Sequence, residues 1–258
     1  MLRGLSVRLR AISRVAMVFL AAFVFSGLPA LASIALDATS TQTAPAGTTS
    51  LSWNHVLGSG GNRMVVCGVT FGYNDTAQTS PLSPAPTMTF DGVVMTASVQ
   101  APTHAQSSTA KIFSQIFYIS DAGLGSRVGS YTVAVTVPTA VTGGASAGCT
   151  SMFGVNQAAP EATSTEYSGS STPAPSITLT TITAGDWVID ALAGGYGSSG
   201  SAGAPGSAQT LLYNVQSTAG SKTTGGSNGG EISAGSYELV ATPGPVTIGW
   251  TAPLSQGR

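Results

Sequence analysis

Apolar and polar residues alternate with a period of two along much of this chain, and this pattern constrains the fold more than any other feature. Residues 131–137 are the cleanest example, because a tyrosine and three valines share one side and smaller or polar residues share the other. Such alternation is typical of β-strands, in which successive side chains point to opposite faces. After residue 32, no segment carries a convincing apolar repeat of 3.6 residues. The sequence therefore predicts an all-β protein.

Other segments indicate how the strands are arranged. Residues 64–71 are almost all apolar, which predicts a strand covered on both faces. Asp91 and Gly92 stand between short apolar arms and predict a hairpin. About a dozen such strands, separated by turn-rich loops, predict a two-layer antiparallel β-sandwich. We expect one domain over residues 33–258, with long loops rich in Gly, Ser, Thr and Pro near residues 159–175, 194–206 and 217–230.

The first 32 residues predict export. Four arginines precede and border an uncharged apolar run at residues 15–25, and Ala30-Leu31-Ala32 follows as a small-x-small site. This order is typical of a secretory signal peptide, here cleaved after Ala32. The apolar run is too short and too early to make a convincing membrane span. We therefore expect the mature protein outside the cell, in the periplasm or at the cell surface.

The charge balance argues against nucleic acid as a partner. The chain has 9 Lys+Arg and 10 Asp+Glu, and the signal segment holds four arginines and no acid, so the mature part has a net charge of −5. No basic patch is present to neutralise phosphates. Charged residues make up only 7% of the chain, so its solubility must depend on hydroxyl and amide side chains.

Two cysteines, Cys67 and Cys149, lie in strand-like segments. In an exported protein a single disulfide between them is allowed. Two buried free thiols are the alternative, because pairing needs adjacent strands that the sequence alone does not establish.

The opening of the mature chain carries a recognisable series of motifs: W-x-H at Trp53 and His55, a Gly-rich turn at residues 58–60, and Asn62-Arg63 followed by an apolar strand ending at Val69. In these motifs the chain resembles a widespread family of uncharacterised secreted bacterial β-sandwich domains. The resemblance implies a jelly-roll of the concanavalin or laminin-G type, often attached to larger surface or carbohydrate-active proteins, and implies no reaction. Relatives run on past the last tryptophan, so we expect either an open sheet edge or a shortened C-terminus here.

Trp53 and His55 are two residues apart and therefore share one face of a strand. They are candidates for binding a ligand by stacking and hydrogen bonding. The favoured interpretation is a packed tryptophan at a corner of the sandwich with a hydrogen-bonded histidine beside it.

Arg63 and Asp190 are charges within otherwise apolar strands. Buried charges need partners. We therefore expect Arg63 and Asp190 to form a structural ion pair that fixes the order of the strands.

Loop aromatics are the remaining candidates for a binding surface, and Tyr196 and Tyr167 are the preferred ones. Asn74 and Asp75 offer oxygen ligands for calcium, but ordinary turn chemistry is the favoured explanation of these residues. No metal site is assigned, and no cofactor is expected. No catalytic residue is assigned either. Of the acids, only Asp186 and Asp190 have the even spacing within one strand-like run that a jelly-roll glycan hydrolase would favour, and Asp186 is expected in the turn before that strand.

We therefore expect a secreted, non-catalytic binding or surface-associated module with an extracellular carbohydrate as its likeliest ligand class. Two alternatives stay open. One is a glycan-active enzyme on a jelly-roll scaffold. The other is a structural matrix or self-assembling surface component that associates through an open sheet edge.

Overall fold

Antiparallel β-sheets make up almost all of the regular structure in the computed structural model. The structure describes residues 33–73, 82, 84–100, 104–105, 111–137, 139–166, 174–194, 203–217 and 230–251, and every structural statement below concerns these residues. The segment assigned to the signal peptide lies outside them, so its cleavage stays a prediction. No helix in the described part of the chain is long and apolar enough to cross a membrane.

The first sheet, here called the central sheet, contains the longest strands. Its order is β1-β10-β3-β8-β6, with the short β7 also paired to β8. The strands are β1 (Ala35–Ala44), β3 (Met64–Tyr73), β6 (Thr96–Gln100), β7 (His104–Ala105), β8 (Lys111–Ser120) and β10 (Gly144–Phe153). A single helical turn, α1 (Asp121–Leu124), follows β8 directly.

A second sheet, the front sheet, packs against one face of the central sheet. Its order is β2-β9-β4-β5, with β2 (Ser50–Leu57), β4 (Thr87–Phe90), β5 (Val93–Val94) and β9 (Gly129–Thr136). The hairpin predicted from the sequence is confirmed, since Asp91 and Gly92 join β4 to β5 with φ angles of 48° and 78°. Positive φ at both turn residues is the geometry that an Asp-Gly pair favours.

The main hydrophobic core lies between these two sheets, and alternation along each strand determines which side chains enter it. On β3 the odd-numbered residues belong to this core: Val65, Cys67, Val69, Phe71 and Tyr73. The front sheet contributes Leu51, Trp53, Leu57, Met88, Phe90, Val133 and Val135. The β-sandwich expected from the sequence is confirmed in this packing.

Further strands cover the opposite face of the central sheet. The rear sheet is built on β15 (Ile232–Val240), with β14 (Thr210–Gln216) on one side and, on the other, β12 (Asp186–Ile189) followed by β13 (Leu192–Gly194). An outer ribbon of β11 (Ser176–Thr181) and β16 (Gly244–Gly249) packs against the rear sheet through a small apolar cluster. The expected strand covered on both faces, residues 64–71, is therefore confirmed.

Close approach of the rear sheet depends on glycines in the central sheet. Gly68 of β3 and Gly148 of β10 face the ring of Tyr213 on β14, and a Cβ at either position would overlap that side chain. Because glycine has no Cβ, the aromatic ring can lie directly on the strand backbones.

The two cysteines form a disulfide between neighbouring strands of the central sheet. Cys67 on β3 lies opposite Cys149 on β10, with a Cα–Cα distance of 4.0 Å. Of the two alternatives that the sequence left open, the disulfide is the one formed. A buried disulfide is consistent with an oxidising compartment.

Candidate functional site

A cavity of about 360 Å³ lies between the central sheet and the rear sheet. Cavities of this size are typical of sites for small molecules. Its floor is the face of the central sheet that the rear sheet leaves partly uncovered, where the lining residues are Met64, Val66, Ser98, Ser114, Ile116, Tyr118 and Met152. On β3 and β8 these are the even-numbered positions, opposite the main core.

The rear sheet and the chain leading to it form the other walls. Trp187, Ile189 and Ala191 face the cavity from the rear sheet, and the outer ribbon adds Ile177 and Leu179. Residues 158–166, which include the first part of the predicted loop 159–175, run along the rim. The walls are therefore mainly apolar, with a few polar groups at defined places.

One aromatic side chain of the wall is held in a fixed orientation. The rings of Trp187 and Tyr237 are stacked, with centroids 3.9 Å apart and planes inclined by 11°. Stacking restricts rotation of the indole, so its position at the cavity is set before any ligand arrives.

A pair of carboxyl groups lies at the rim. Glu161 and Asp186 lie close enough to each other for each to shift the pKa of the other. Glu161 also accepts hydrogen bonds from the Ile182 backbone N–H (2.7 Å) and the Thr183 hydroxyl (3.1 Å), which bind the rim segment to the turn before β12. One Asp186 oxygen, Oδ2, is buried without a hydrogen-bond partner in the described structure.

The carboxyl pair has perturbed acid–base properties. The pKa of Asp186 is raised, first by burial and then by the hydrogen bond and negative charge of Glu161. The pKa of Glu161 is lowered, chiefly by its hydrogen bond from the Ile182 backbone N–H. As the pH falls, Asp186 is therefore protonated before Glu161.

Asp190 lies deeper, at the interruption between β12 and β13. Its carboxylate accepts hydrogen bonds from the Ser236 N–H (2.6 Å), the Ser236 hydroxyl (2.9 Å) and the Trp250 indole (2.8 Å). Burial raises the pKa of Asp190 against the opposing effect of these hydrogen bonds. These donors replace the missing ladder contacts of the strand, so Asp190 serves the architecture of the rear sheet.

The expected pairing of Arg63 with Asp190 is wrong. The Arg63 guanidinium instead contacts Asp121 of α1 at 2.7 Å and donates to the backbone carbonyls of Gly125 and Arg127. The reason is local: α1 follows β8, the neighbour of β3, so its acid and its free carbonyls lie beside the start of β3. Arg63 fixes that corner of the sandwich.

Trp53 and His55 are both buried at the seam between β2 and β1. The hydroxyl of Ser40 on β1 accepts a hydrogen bond from the Trp53 indole (2.9 Å) and lies 2.8 Å from His55 Nδ1. Burial lowers the pKa of His55 to about 4, although the charge of Asp37 acts in the opposite direction. This is the corner arrangement that the sequence favoured over ligand stacking, and it lies outside the cavity.

Glu231 is a buried acid that the sequence analysis did not single out. Neither of its carboxyl oxygens has a hydrogen-bond partner in the described structure, and burial raises its pKa well above the usual value. The side chain occupies space left by Gly72 and Gly143, where a Cβ would overlap it.

Four predicted site residues lie outside the described residues: Tyr167, Tyr196, Asn74 and Asp75. Their proposed roles in ligand and calcium binding stay predictions. Among the residues that the structure describes, no group of three or more His, Cys, Asp or Glu side chains is placed to hold a metal ion.

The residues that form the cavity were largely missed from the sequence. No pattern in the sequence singled out Trp187, Glu161 or Asp186 as parts of one site. The 25-residue separation of Glu161 and Asp186 gives no local signal of contact. The available clue was that the even-numbered positions of β3 and β8, such as Val66 and Ile116, are also apolar.

Comparisons of the chain with protein-family models, curated proteins and solved structures find no match. The resemblance to secreted bacterial β-sandwich domains therefore stays a prediction.

Proposed function

We propose that this protein is a secreted, non-catalytic binding module whose cavity holds one unit of an extracellular carbohydrate. The observation that carries the proposal is the cavity itself, with its apolar walls, its fixed indole and few polar groups. Such concave sites, in which a few polar groups orient a ligand on an apolar surface, are typical of small-molecule recognition.

A sugar ring matches both kinds of surface in this cavity. Its C–H face is apolar and packs on aromatic side chains such as Trp187 and Tyr118, which both line the walls. Its hydroxyl groups donate well to carboxylates, and the carboxyl-bearing residues Glu161 and Asp186 line the cavity. Hydrogen bonds to charged groups are stronger than those between neutral groups.

The expected compartment supports this ligand class. The disulfide between Cys67 and Cys149 suits an oxidising environment, and the predicted signal peptide would deliver the protein to one. Polysaccharides are abundant there, and the low charge of the chain suits a neutral partner better than a polyanion.

The proposal is tested with a glycan array and a polysaccharide pull-down on the exported protein, with and without calcium. We expect binding to at least one glycan. The Trp187→Ala variant should lose it by tenfold or more, because about 1.4 kcal/mol of stacking contact corresponds to a factor of ten. The control is Leu239→Ala, which removes an exposed side chain opposite Trp187 on β15 that does not line the cavity. Absence of glycan binding in every condition would refute the proposal.

A glycan-active enzyme is the second candidate, because two carboxyl groups, Glu161 and Asp186, line the same cavity. Glycosidase carboxyl pairs stand about 5–5.5 Å or about 6.5–9.5 Å apart, to leave room for the sugar or a water molecule. Reducing sugar released by the wild-type protein and abolished in Glu161→Gln would favour the enzyme over the binding module.

Self-association is a third candidate, favoured by the position of β1 at an edge of the central sheet. In the described residues β1 has one hydrogen-bonded neighbour, β10. An exposed edge can accept a strand from another chain. Oligomers that grow with protein concentration in light scattering would support this candidate, and a monomer at all concentrations would exclude it.

A further inference from the structure

We propose that the carbohydrate in this cavity is joined to an alkyl chain, and that the chain occupies the apolar floor while the sugar lies at the polar rim. The inference rests on the proposed function and adds the chemical class of the ligand, a neutral glycolipid. It depends on the way in which apolar and polar residues are separated within the cavity.

The floor of the cavity presents apolar side chains to an open space. Val66 is partly exposed, whereas every other residue of β3 is buried. Its cross-strand partner Tyr118 and the neighbouring Ile116, both on β8, are partly exposed as well. Apart from Ser98 and Ser114, the floor residues carry apolar side chains or the Tyr118 ring. An apolar group that covers this surface gains the free energy of removing it from water.

The other walls are also apolar where the rear sheet and the outer ribbon form them. Ile177 and Leu179 of the ribbon and Ile189 of the rear sheet line the cavity, and each is partly exposed. A sugar ring enclosed by such surfaces would lose the hydrogen bonds that its hydroxyl groups make to water. An alkyl chain has no hydrogen bonds to lose, and apolar cavities bind apolar molecules.

Hydroxyl and carboxyl side chains lie at the rim instead. Residues 161–166 contribute five of them to the lining: Glu161, Thr163, Ser164, Thr165 and Glu166. This segment has no helix or strand and is mostly exposed. Sugar hydroxyls placed there can exchange hydrogen bonds with these side chains and with water. The cavity therefore suits a molecule with one apolar end and one end rich in hydroxyl groups.

The charges of the lining favour a neutral molecule of this kind. Within the described residues, no lysine, arginine or histidine lines the cavity, so a carboxylate or phosphate would find no cationic partner there. Acidic side chains at the rim, such as Glu161 and Glu166, would repel an anionic head group. Fatty acids and anionic phospholipids are therefore disfavoured, and an uncharged sugar is a suitable head group.

The test uses glucosides and galactosides that differ only in chain length, namely the methyl, butyl and hexyl forms, each below its micelle concentration. Binding to the exported protein is measured by titration calorimetry near neutral pH, with 1-hexanol as the probe that has a chain and no sugar. We expect the affinity to rise by up to about fourfold for each added methylene group, which corresponds to about 0.8 kcal/mol. The heat-capacity change of binding should become more negative as the chain lengthens.

Matched variants connect this effect to the floor of the cavity. Val66→Thr keeps the shape of the side chain and adds a hydroxyl group, so it should lower the hexyl-to-methyl affinity ratio by about fivefold. Val56→Thr makes the same change at an exposed position of β2 that does not line the cavity, and should keep the ratio. Ile116→Thr repeats the test from β8, and thermal unfolding verifies that each variant is folded. An unchanged ratio in both cavity variants would overturn the inference.

The outcomes separate the two proposals. Equal binding of the methyl and hexyl glycosides would overturn the alkyl chain and leave the carbohydrate module intact. Binding of 1-hexanol as tightly as the hexyl glycosides would support the apolar occupant and overturn the sugar as part of the ligand. Absence of binding by all the glycosides and by 1-hexanol would overturn the alkyl chain, whereas the carbohydrate module is decided by the glycan array.

Discussion

His55 illustrates how a buried ring can have a defined protonation state without any charged partner in contact. It is fully buried, its Nδ1 faces the Ser40 hydroxyl, and its Nε2 has no hydrogen-bond partner in the described structure. Removing the ring from water disfavours the imidazolium form, so the folded protein holds a neutral histidine.

The free energy of unfolding should therefore decrease as the pH falls from the pKa of His55 in the unfolded chain to its pKa in the folded protein. Its pKa is about 4 in the folded protein and 6.5 in the reference state, so the unfolded chain takes up a proton first. A shift of this size is worth roughly 3 kcal/mol, lost between about pH 6.5 and about pH 4. Urea unfolding measures it, and His55→Gln should reduce this loss. An unchanged pH dependence in the variant would contradict the assignment.

The protonation of Glu231 should give the stability the opposite pH dependence. Its folded pKa lies well above the reference value of 4.5, so the folded state retains a proton that the unfolded chain releases. Stability from the neutral acid is present at low pH and is lost as the pH rises above 4.5. The groups that face its side chain, Gly72 and Gly143, do not titrate.

We expect Glu231→Gln to stabilise the protein near neutral pH, because the folded protein no longer has to hold a proton there; the gain should be at most about 1.4 kcal/mol for each pH unit above 4.5 and should vanish below pH 4.5. The matched control is Glu238→Gln, whose acid is less buried, and it should change the free energy of unfolding by less than about 0.5 kcal/mol. Equal effects of the two substitutions would argue against a neutral Glu231.

At the level of the strands, β3 and β10 show which structural features of a β-protein can be predicted from its sequence. The apolar run of β3 indicated burial on two faces, and the Asp-Gly turn indicated the β4–β5 hairpin. Both signals are local, because alternation and turn chemistry depend on neighbouring residues. The packing of the rear sheet on the central sheet gave no such local signal. In the sequence, Gly68 and Gly148 are only residues that disfavour a strand, and their role becomes apparent from the position of Tyr213 against them in the structure.

The candidate site could not be predicted from the sequence, because it too depends on contacts between distant segments of the chain. Its walls come from strands of two sheets and from a rim segment whose acid, Glu161, meets Asp186 across the turn before β12. Contacts of this kind are created by packing of the sheets. Arg63 is a second example. The sequence indicated that this buried charge needs a partner, but only the position of α1 in the fold shows that the partner is Asp121.

Substitution of Gly148 tests the contact between the central and rear sheets. We expect Gly148→Ala to destabilise the protein by about 1–3 kcal/mol, because the added methyl group overlaps the Tyr213 ring in a closely packed interface. Gly61→Ala is the matched control, since a Cβ there meets no atom within 4 Å and the substitution should be neutral or stabilising by up to about 1 kcal/mol. Urea midpoints of both variants measure the difference, and equal midpoints would mean that the two sheets are not in this contact.

At the scale of the whole molecule, export and the disulfide belong together. The central sheet is cross-linked through Cys67 and Cys149, and such bonds persist in oxidising compartments. We expect protein recovered from the cell exterior to begin at Ser33, as measured by N-terminal sequencing, and to carry no free thiol. An intact N-terminus at Met1 in the same fraction would contradict the predicted cleavage.

The two faces of the central sheet have different roles, so the side chains on one face can change without altering the packing on the other. On β3 and β8, odd positions hold the sandwich together, whereas even positions such as Val66, Ile116 and Tyr118 border the cavity. A substitution of one of these cavity-lining side chains leaves the core between the central and front sheets untouched. The lining of the cavity can therefore change one amino acid at a time while that core is inherited unchanged.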